Sequence, residues 1–283
     1  MNDIASNDML ETDSTLDELA FLNFTESLRE FVRWGEGGVL SESEDTLRTQ
    51  TRVAFAAGSF NTAVFLGKRL DSPASWLETQ RAWFHERGRG FSVHTRAAHH
   101  AELERACLQA GLRAEAKPPV MVRRAPLEPV PGTGAGATAR VRLGNDLRDW
   151  KSFVEVTAAS YVSMGFAEHL TRNLMNSPER MARPVWLCAL ARAGSTDCAA
   201  AALLFSHSIA GLYWVGTRPT ARRQGFAAAC VQHLTNIAFE RGARAVVLQA
   251  SDAGAPLYRR MGFTDLTHYP MYVAARDVNV RDP

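Results

Sequence analysis

Apolar and polar positions switch between a period of two and a period near 3.6 along this chain, and those switches mark its elements. The second half is the more regular. Residues 139–143 alternate as a strand. Asn145 or Asp146 can cap a helix running to about Tyr161, with Leu147, Trp150, Phe153 and Val154 on one face. Residues 166–175 read as a second, short helix. Three strand-like runs follow at 185–192, 198–206 and 209–217. Very short connections join them, so neighbours must be antiparallel. A helix over 225–241 carries Phe226, Ala229, Cys230, Leu234, Ile237 and Ala238 as its apolar stripe, and Gly242 suits its stop. Residues 245–250 form a strand, 254–261 a short helix, and 264–274 a last strand or strand pair. Antiparallel strands leading into a β-α-β crossover require a mixed sheet, so the class is α/β or α+β rather than doubly wound.

The first half has a similar rhythm. A helix is expected over 16–33, strands over 51–57 and 61–67, and a helix over 73–87. A strand over 91–95, a helix over 101–110 ending at Gly111-Leu112, and a strand over 120–124 complete it. Between the halves, residues 126–138 hold three prolines and three glycines, which deny that stretch regular structure. The expected division is an acidic, disordered tail over 1–13, a first domain over 14–127, a linker over 128–138, and a second domain over 139–283. Two units suit a length of 283 residues.

Composition changes this picture little. Lys+Arg 32 against Asp+Glu 30 gives a net charge of +2, without the dense basic surplus of a nucleic-acid binder. A local basic site for an anion remains compatible with it. Cys107, Cys188, Cys198 and Cys230 show no CxxC spacing and no clustered histidines, so neither a metal site nor a disulfide framework is expected. The first twenty residues carry six acidic side chains and no Lys or Arg, unlike a secretory signal. The longest apolar run, 198–205, is far short of the roughly 20 residues that span a bilayer. A soluble, cytoplasmic protein is expected, with no membrane and no nucleic-acid partner.

Chemistry concentrates in 215–229, Val-Gly-Thr-Arg-Pro-Thr-Ala-Arg-Arg-Gln-Gly-Phe-Ala-Ala-Ala. A strand ends at Thr217, a short loop carries Arg222 and Arg223, and a helix begins at Gly225. The first turn of a helix offers free N–H groups and the positive end of its dipole to phosphate oxygens. Gly225 and Ala227 allow close approach to a pyrophosphate. Neither GxxxxGK[ST] nor GxGxxG is present, which excludes a Walker-type nucleotide site and a Rossmann fingerprint.

Arg222-x-x-Gly225-x-Ala227 resembles the Arg/Gln-x-x-Gly-x-Gly/Ala signature of the GNAT superfamily of N-acetyltransferases. Downstream, 257–263 (Leu-Tyr-Arg-Arg-Met-Gly-Phe) resembles that family's second signature. The resemblance covers about 139–275. It implies that acetyl-CoA lies between the parted fourth and fifth strands of the second domain. Val215 and Thr217 would offer backbone groups to the pantetheine arm, Gly216 would permit the bulge, and Arg222, Arg223, Gln224, Gly225, Phe226, Ala227 and Ala228 would cradle the pyrophosphate. Tyr258 matches the family's usual general acid toward the CoA thiolate. Ser251 and Asp252 could line the same gap or cap the following helix. Many relatives carry a base on the fourth strand. Residues 209–217 contain no carboxylate, and Glu155 and His207 are weaker candidates, so the base stays unassigned.

Tyr161, Met164, Phe166 and Trp214 fall where the family builds its substrate pocket, and Tyr269 and Tyr272 share their ambiguity with core packing. The first half resembles a degenerate GNAT unit. Gly111-Leu112 falls where Gly262-Phe263 falls, and Leu70-Asp71-Ser72-Pro73 stands in place of the phosphate loop. The fold expected is therefore two GNAT-like domains, each a mixed, mainly antiparallel sheet flanked by helices, in tandem. The function implied is acetyl-CoA-dependent acetyl transfer to the amine of a small molecule, without a metal, and with a homodimer left open. Its rivals are a non-catalytic acyl-CoA-binding or regulatory protein, and an acyltransferase acting on a protein amine.

Overall fold

The computed structural model describes residues 3–52, 60–128, 139–144 and 146–274, with side chains described from Asp13 onward. The first half runs α1 (Asp3–Trp34), β1 (Val39–Glu42), β2 (Thr46–Gln50), β3 (Asn61–Phe65), α2 (Pro73–His85), β4 (Ser92–His94), α3 (Ala101–Gln109), β5 (Arg113–Ala116) and β6 (Pro119–Arg123). The second runs β7 (Arg140–Leu143), α4 (Leu147–Tyr161), α5 (Glu168–Leu174), α6 (Pro178–Met181), β8 (Trp186–Ala193), β9 (Thr196–Ser206) and β10 (Ile209–Thr217). It continues with α7 (Phe226–Glu240), β11 (Val246–Gln249), α8 (Ala255–Arg260), β12 (Thr264–His268) and β13 (Met271–Val273).

Two mixed sheets result. One has the order β1-β2-β3-β4-β13-β5, the other β12-β6-β11-β10-β9-β8-β7. Each contains one parallel pair, β3 with β4 and β10 with β11, and each such pair is joined by a helix, α2 or α7. The strands before that pair are antiparallel, and so are the two that follow it. The two halves are thus the same arrangement, the first lacking one edge strand. The likeness extends to helix ends. Gly111 (φ 79°) and Gly262 (φ 78°) both turn through the left-handed region. The next N–H then reaches back to Cys107 O in one half (2.9 Å) and Tyr258 O in the other (3.0 Å).

The sheets do not divide where the chain does. β6, from the first half, pairs with β11 and β12 of the second sheet, and β13, from the end of the chain, pairs with β4 and β5 of the first. Each half supplies the strand that fills the other's sheet. Leu127, just beyond β6, is buried in the second half's core, and its backbone N–H and carbonyl both bond the Asn236 side chain of α7 (2.7 and 3.0 Å). Most of the expected linker, 129–138, lies outside the described residues.

α1 adds a second join by lying across the second sheet. Phe31 and Trp34 pack with Trp150, Phe153, Trp186 and Tyr213. Asn23 donates to Leu204 O (3.2 Å) and Ser206 Oγ (2.8 Å) and accepts from the Tyr213 hydroxyl (2.8 Å). Gly211 makes room for this, since a Cβ there would stand 2.0 Å from Asn23 Oδ1. Glu30, 1 % exposed, is paired to Arg33 and Arg183 and accepts from Trp186 Nε1 (3.1 Å). A buried carboxylate requires such partners.

Several expected boundaries move. The helix expected from 16 begins at Asp3, so the tail expected over 1–13 is helical from there. The strand expected over 51–57 is not one where it is described, at Thr51 and Arg52, and the rest lies outside the described residues. The strands present are β1 and β2 instead, and β1 is largely exposed, with no alternating apolar face to betray it. β5, exposed at all four residues, went unread for the same reason. The helix expected over 166–175 is α5, and a further short helix, α6, follows it at Pro178–Met181. Asp146 caps α4, accepting from the Asp149 N–H, but Leu147 on its expected apolar face is 42 % exposed.

A fragment of residues 139–283 would leave the β6 slot between β11 and β12 open, with two strand edges unpaired. Expressed alone it should aggregate or show no cooperative unfolding by circular dichroism. Supplying residues 1–128 in trans should restore a soluble complex. A soluble, cooperatively folded 139–283 fragment would contradict the exchange.

Candidate functional site

The site begins where β10 leaves β11. The two strands pair over three positions, Ala210 with Val246 to Leu212 with Leu248, and then part. Beyond that point β10 keeps its other neighbour but slips in register: Tyr213 faces Ala202 and Gly216 faces Ala200, so three steps on β10 match two on β9. That is a bulge, which bends a strand and strengthens its twist. Its strained residue is Trp214, at φ 53°, a conformation that costs a non-glycine residue about 1–3 kcal/mol. Gly216 flanks the bulge and also admits α4 beside it, since a Cβ at 216 would lie 2.7 Å from Ser160 Cβ.

Between the parted strands is a cavity of about 830 Å³. Val215, Gly216 and Thr217 form one wall, Ser251, Gly254, Leu257 and Tyr258 another, and the start of α7 closes the end. The loop before α7 is a short 3-10 turn, Pro219–Ala221, followed by Arg223 at φ 60° and Gly225 at φ 90°. Gly225 provides no side-chain cap. The Ala229 N–H is bonded to Gly225 O. The N–H groups of Phe226, Ala227 and Ala228 precede this first bonded donor and stay available to an anion.

Of the expected contact residues, Val215, Gly216, Thr217, Arg222, Arg223, Gly225, Phe226, Ala227, Ala228 and Ser251 line this cavity. Gln224 does not; its side chain turns back toward Thr220 O (3.5 Å). Arg222 lines it while engaged elsewhere, donating to Ser160 O (2.8 Å), Ser163 Oγ (2.9 Å) and Thr217 O (3.3 Å). It ties the loop to the end of α4. Arg223, exposed, and Arg260 on α8 supply further positive charge. Arg260 stands inside the 257–263 sequence, but nothing in that spacing marked it. Ser251 also accepts from the Gly254 N–H (3.2 Å) in the turn before α8, so it lines the gap while holding that turn; the N-cap itself is Gly254. Asp252 is not among the lining residues.

A second cavity, of about 310 Å³, opens from the same gap toward the first half. Tyr161, Met164, Val215, Ser251 and Tyr258 border both spaces. The inner space alone is lined by Trp214, Gln249 and Tyr269, with Phe24, His94, Ala116 and Pro118 from the first half. Sequence reasoning missed those four, because their approach depends on α1 and on the exchanged strands. Tyr258, 8 % exposed, packs edge-on to Phe263, and no hydrogen bond of its hydroxyl to another described residue is found. Burial pushes its ionisation well above the ordinary tyrosine value, so the hydroxyl keeps its proton. It stands where the two cavities meet and can donate into that junction. In the first half the residue at the matching helix-end position is Cys107, fully buried.

The other candidates fall outside. Glu155 is held by Arg172 (2.9 Å), which lowers its ionisation below the usual carboxylate value. His207 occupies the β9–β10 turn at φ 52°. Phe166 packs edge-on against Phe60 and Tyr161. Tyr272, on β13 of the first sheet, donates to Glu104 of α3 (3.2 Å). Leu70–Pro73 leads into α2 with Ser72 as an N-cap that makes no capping bond and Pro73 in the first turn. Among the described residues, no group of three or more metal-ligating side chains occurs, and no helix is long and apolar enough to cross a membrane. All four cysteines are buried and free.

Residues 157–263 match the model of the Acetyltransferase (GNAT) family. Three solved structures share the architecture over most of the chain. A GCN5-related N-acetyltransferase from Kribbella flavida is 19% identical, with a TM-score of 0.69 over 93% of this chain and 98% of that one. A GCN5-related N-acetyltransferase from Sphaerobacter thermophilus is 17% identical, with a TM-score of 0.56 over 84% of this chain and 82% of that one. A tandem GNAT protein from the clavulanic acid biosynthesis pathway is 11% identical, with a TM-score of 0.53 over 85% of this chain and 84% of that one. No curated protein matches. The segment that matches the GNAT model thus sits within a two-sheet fold shared with these three structures.

Gly216→Ala tests the approach of α4 to the bulge. The added methyl should lower stability by about 1–3 kcal/mol, as overpacking does, and should weaken acetyl-CoA binding in calorimetry. Wild-type values for both would contradict the close contact.

Proposed function

We propose that the chain transfers the acetyl group of acetyl-CoA to the amine of a small molecule, by direct attack within a ternary complex. The observation that carries this reading is the junction of the two cavities at Tyr258. The outer space ends on the uncapped N-terminus of α7, suited to a pyrophosphate. The inner space opens on the far side of the same gap and can hold an acceptor. The thioester would then lie between them, beside the bulge, where the Val215 backbone is not paired to β11.

The chemistry is a substitution at carbon. The neutral amine nitrogen attacks the thioester carbonyl carbon, and a C–N bond forms. The C–S bond then breaks, the sulfur leaves with its electron pair, and it takes the Tyr258 proton. The nitrogen loses its extra proton to water, and the tyrosine regains one. A donor placed at the developing negative charge lowers the barrier only if it is protonated at working pH, which the buried setting of Tyr258 favours. No carboxylate lines the inner space, where His94 is the one imidazole, so the acceptor attacks as the neutral amine. The first half serves as a silent repeat. Asp71 and Pro73 take the place of the phosphate loop, and Cys107 that of the acid.

Acetyl-CoA at about 100 times its Kd should raise the melting temperature by on the order of 5–10 °C, and Ala227→Glu, which places a carboxylate at the anion site, should abolish the rise. An unchanged rise would remove the phosphate role from α7. Tyr258→Phe should lower kcat about 100-fold with acetyl-CoA affinity retained; full turnover would defeat the acid role. Because burial raises the tyrosine's ionisation, the rate should climb with pH as the acceptor loses its proton. It should show no falling limb near pH 10, the ordinary tyrosine value. A fall there would contradict a protonated, buried Tyr258.

A further inference from the structure

The inner cavity also carries information about what it holds, and this step rests on the acetyl-transfer reading only for the placement of the amine. Three donor atoms on its walls are buried: the Tyr269 hydroxyl and Trp214 Nε1 have no hydrogen-bond partner, and Gln249 Nε2 has only the Tyr213 hydroxyl beside it. Tyr269 is 1 % exposed. Its own backbone is fixed by a bond to Pro118 O (3.2 Å), and its ring is packed on Phe24 and Phe21. A buried polar group left unpaired is costly, and several converging on one space are rare in a folded chain. All three can donate a hydrogen bond. They belong to the inner cavity alone, away from the shared border formed by Tyr258, Ser251 and Val215.

Apart from His94 and Ser251 the rest of the lining is apolar or aromatic, and no Asp, Glu, Lys or Arg is part of it. A second ammonium group carried into this space would therefore be buried without a counter-charge, and a carboxylate would find only the His94 imidazole. From these observations we infer that the acceptor is a small amine with an aromatic or apolar body. It is neutral apart from its nitrogen, and it carries a hydroxyl or carbonyl oxygen at the end remote from that nitrogen. The amine faces Tyr258 across the shared border, and the oxygen accepts from the donors at the inner end, beneath a floor contributed by the first half. That orientation gives the silent half a function in recognition. A polyamine would carry uncompensated charge into the cavity, and a protein lysine would bring a charged or peptide-bearing chain through a space of about 310 Å³.

The test compares acetyl transfer to tyramine, to phenethylamine, to spermidine and to a lysine-containing peptide. It also measures tyramine binding directly by calorimetry. Tyramine and phenethylamine differ by one hydroxyl. Wild-type protein should favour tyramine about tenfold or more in kcat/KM and should use spermidine and the peptide least. Tyr269→Phe removes an oxygen that bonds nothing in the fold. It should keep the wild-type melting temperature and acetyl-CoA affinity while bringing the tyramine to phenethylamine ratio to about one. Gln249→Leu should also reduce the ratio, from a second wall. Equal use of tyramine and phenethylamine by wild type, a ratio unmoved by Tyr269→Phe, or spermidine or the peptide as best acceptor would each overturn the inference. The transfer reading fails separately. Tyramine binding that weakens in Tyr269→Phe, without turnover of acetyl-CoA, would uphold the pocket's chemistry while removing the reaction.

Discussion

Everything distinctive about this molecule follows from the parting of β10 from β11 after three paired residues. A parallel pair inside a sheet normally continues until one strand ends. Here the bulge at Trp214 turns β10 aside, and the left-handed backbone of a bulky residue is maintained against a cost of about 1–3 kcal/mol. The surroundings over-determine that conformation. The Trp214 ring is stacked near Phe60 and packed against Phe31 and Tyr161, and Gly216 lets Ser160 of α4 close in from the other side. The parted strands leave backbone edges facing a gap in the middle of a sheet. Such a gap in a folded protein invites a ligand with its own hydrogen-bonding chain.

The exchange of β6 and β13 explains how two halves of the same design become one molecule. β11 borders the gap on one side, and on its other side it is paired along its full length to a strand from the first half. The gap is thus braced by chain that lies before the linker. β13 reciprocates by filling the place between β4 and β5. With α1 laid over β9 and β10 and Glu30 buried among Arg183, Arg33 and Trp186, the halves share cores rather than a surface. This is why a half without a phosphate loop still shapes the site: Phe24, His94, Ala116 and Pro118 reach the inner cavity through these joins.

The local parts of this account were legible in the sequence. The strand ending at Thr217, the Arg-Gln-Gly turn and the uncapped helix start are written in contiguous residues, and ten of the eleven expected contact residues line the outer cavity. Tyr258 was legible for the same reason, through its spacing from Gly262-Phe263. Gln224 was the exception, because an exposed loop side chain can turn either way and this one bonds back to Thr220. What was hidden is non-local. β6 and β13 are short strands with apolar positions that suit either sheet, and the period-two pattern says nothing about which partner a strand takes. β1 and β5 were hidden by exposure, since a strand with no buried face shows no alternation. Trp214 read as a pocket aromatic, and its role as the bulge residue needed the register of two neighbouring strands.

The most direct measurement of the central claim is a crystal structure with acetyl-CoA bound. The account predicts the diphosphate on the N–H groups of Phe226, Ala227 and Ala228, the pantetheine arm along the unpaired edge at Val215, and the thioester sulfur within hydrogen-bond reach of the Tyr258 hydroxyl. The acetyl group should face the inner cavity. A ligand seated instead at the start of α2 in the first half, or lying in the second half with its acetyl group directed away from that cavity, would contradict it.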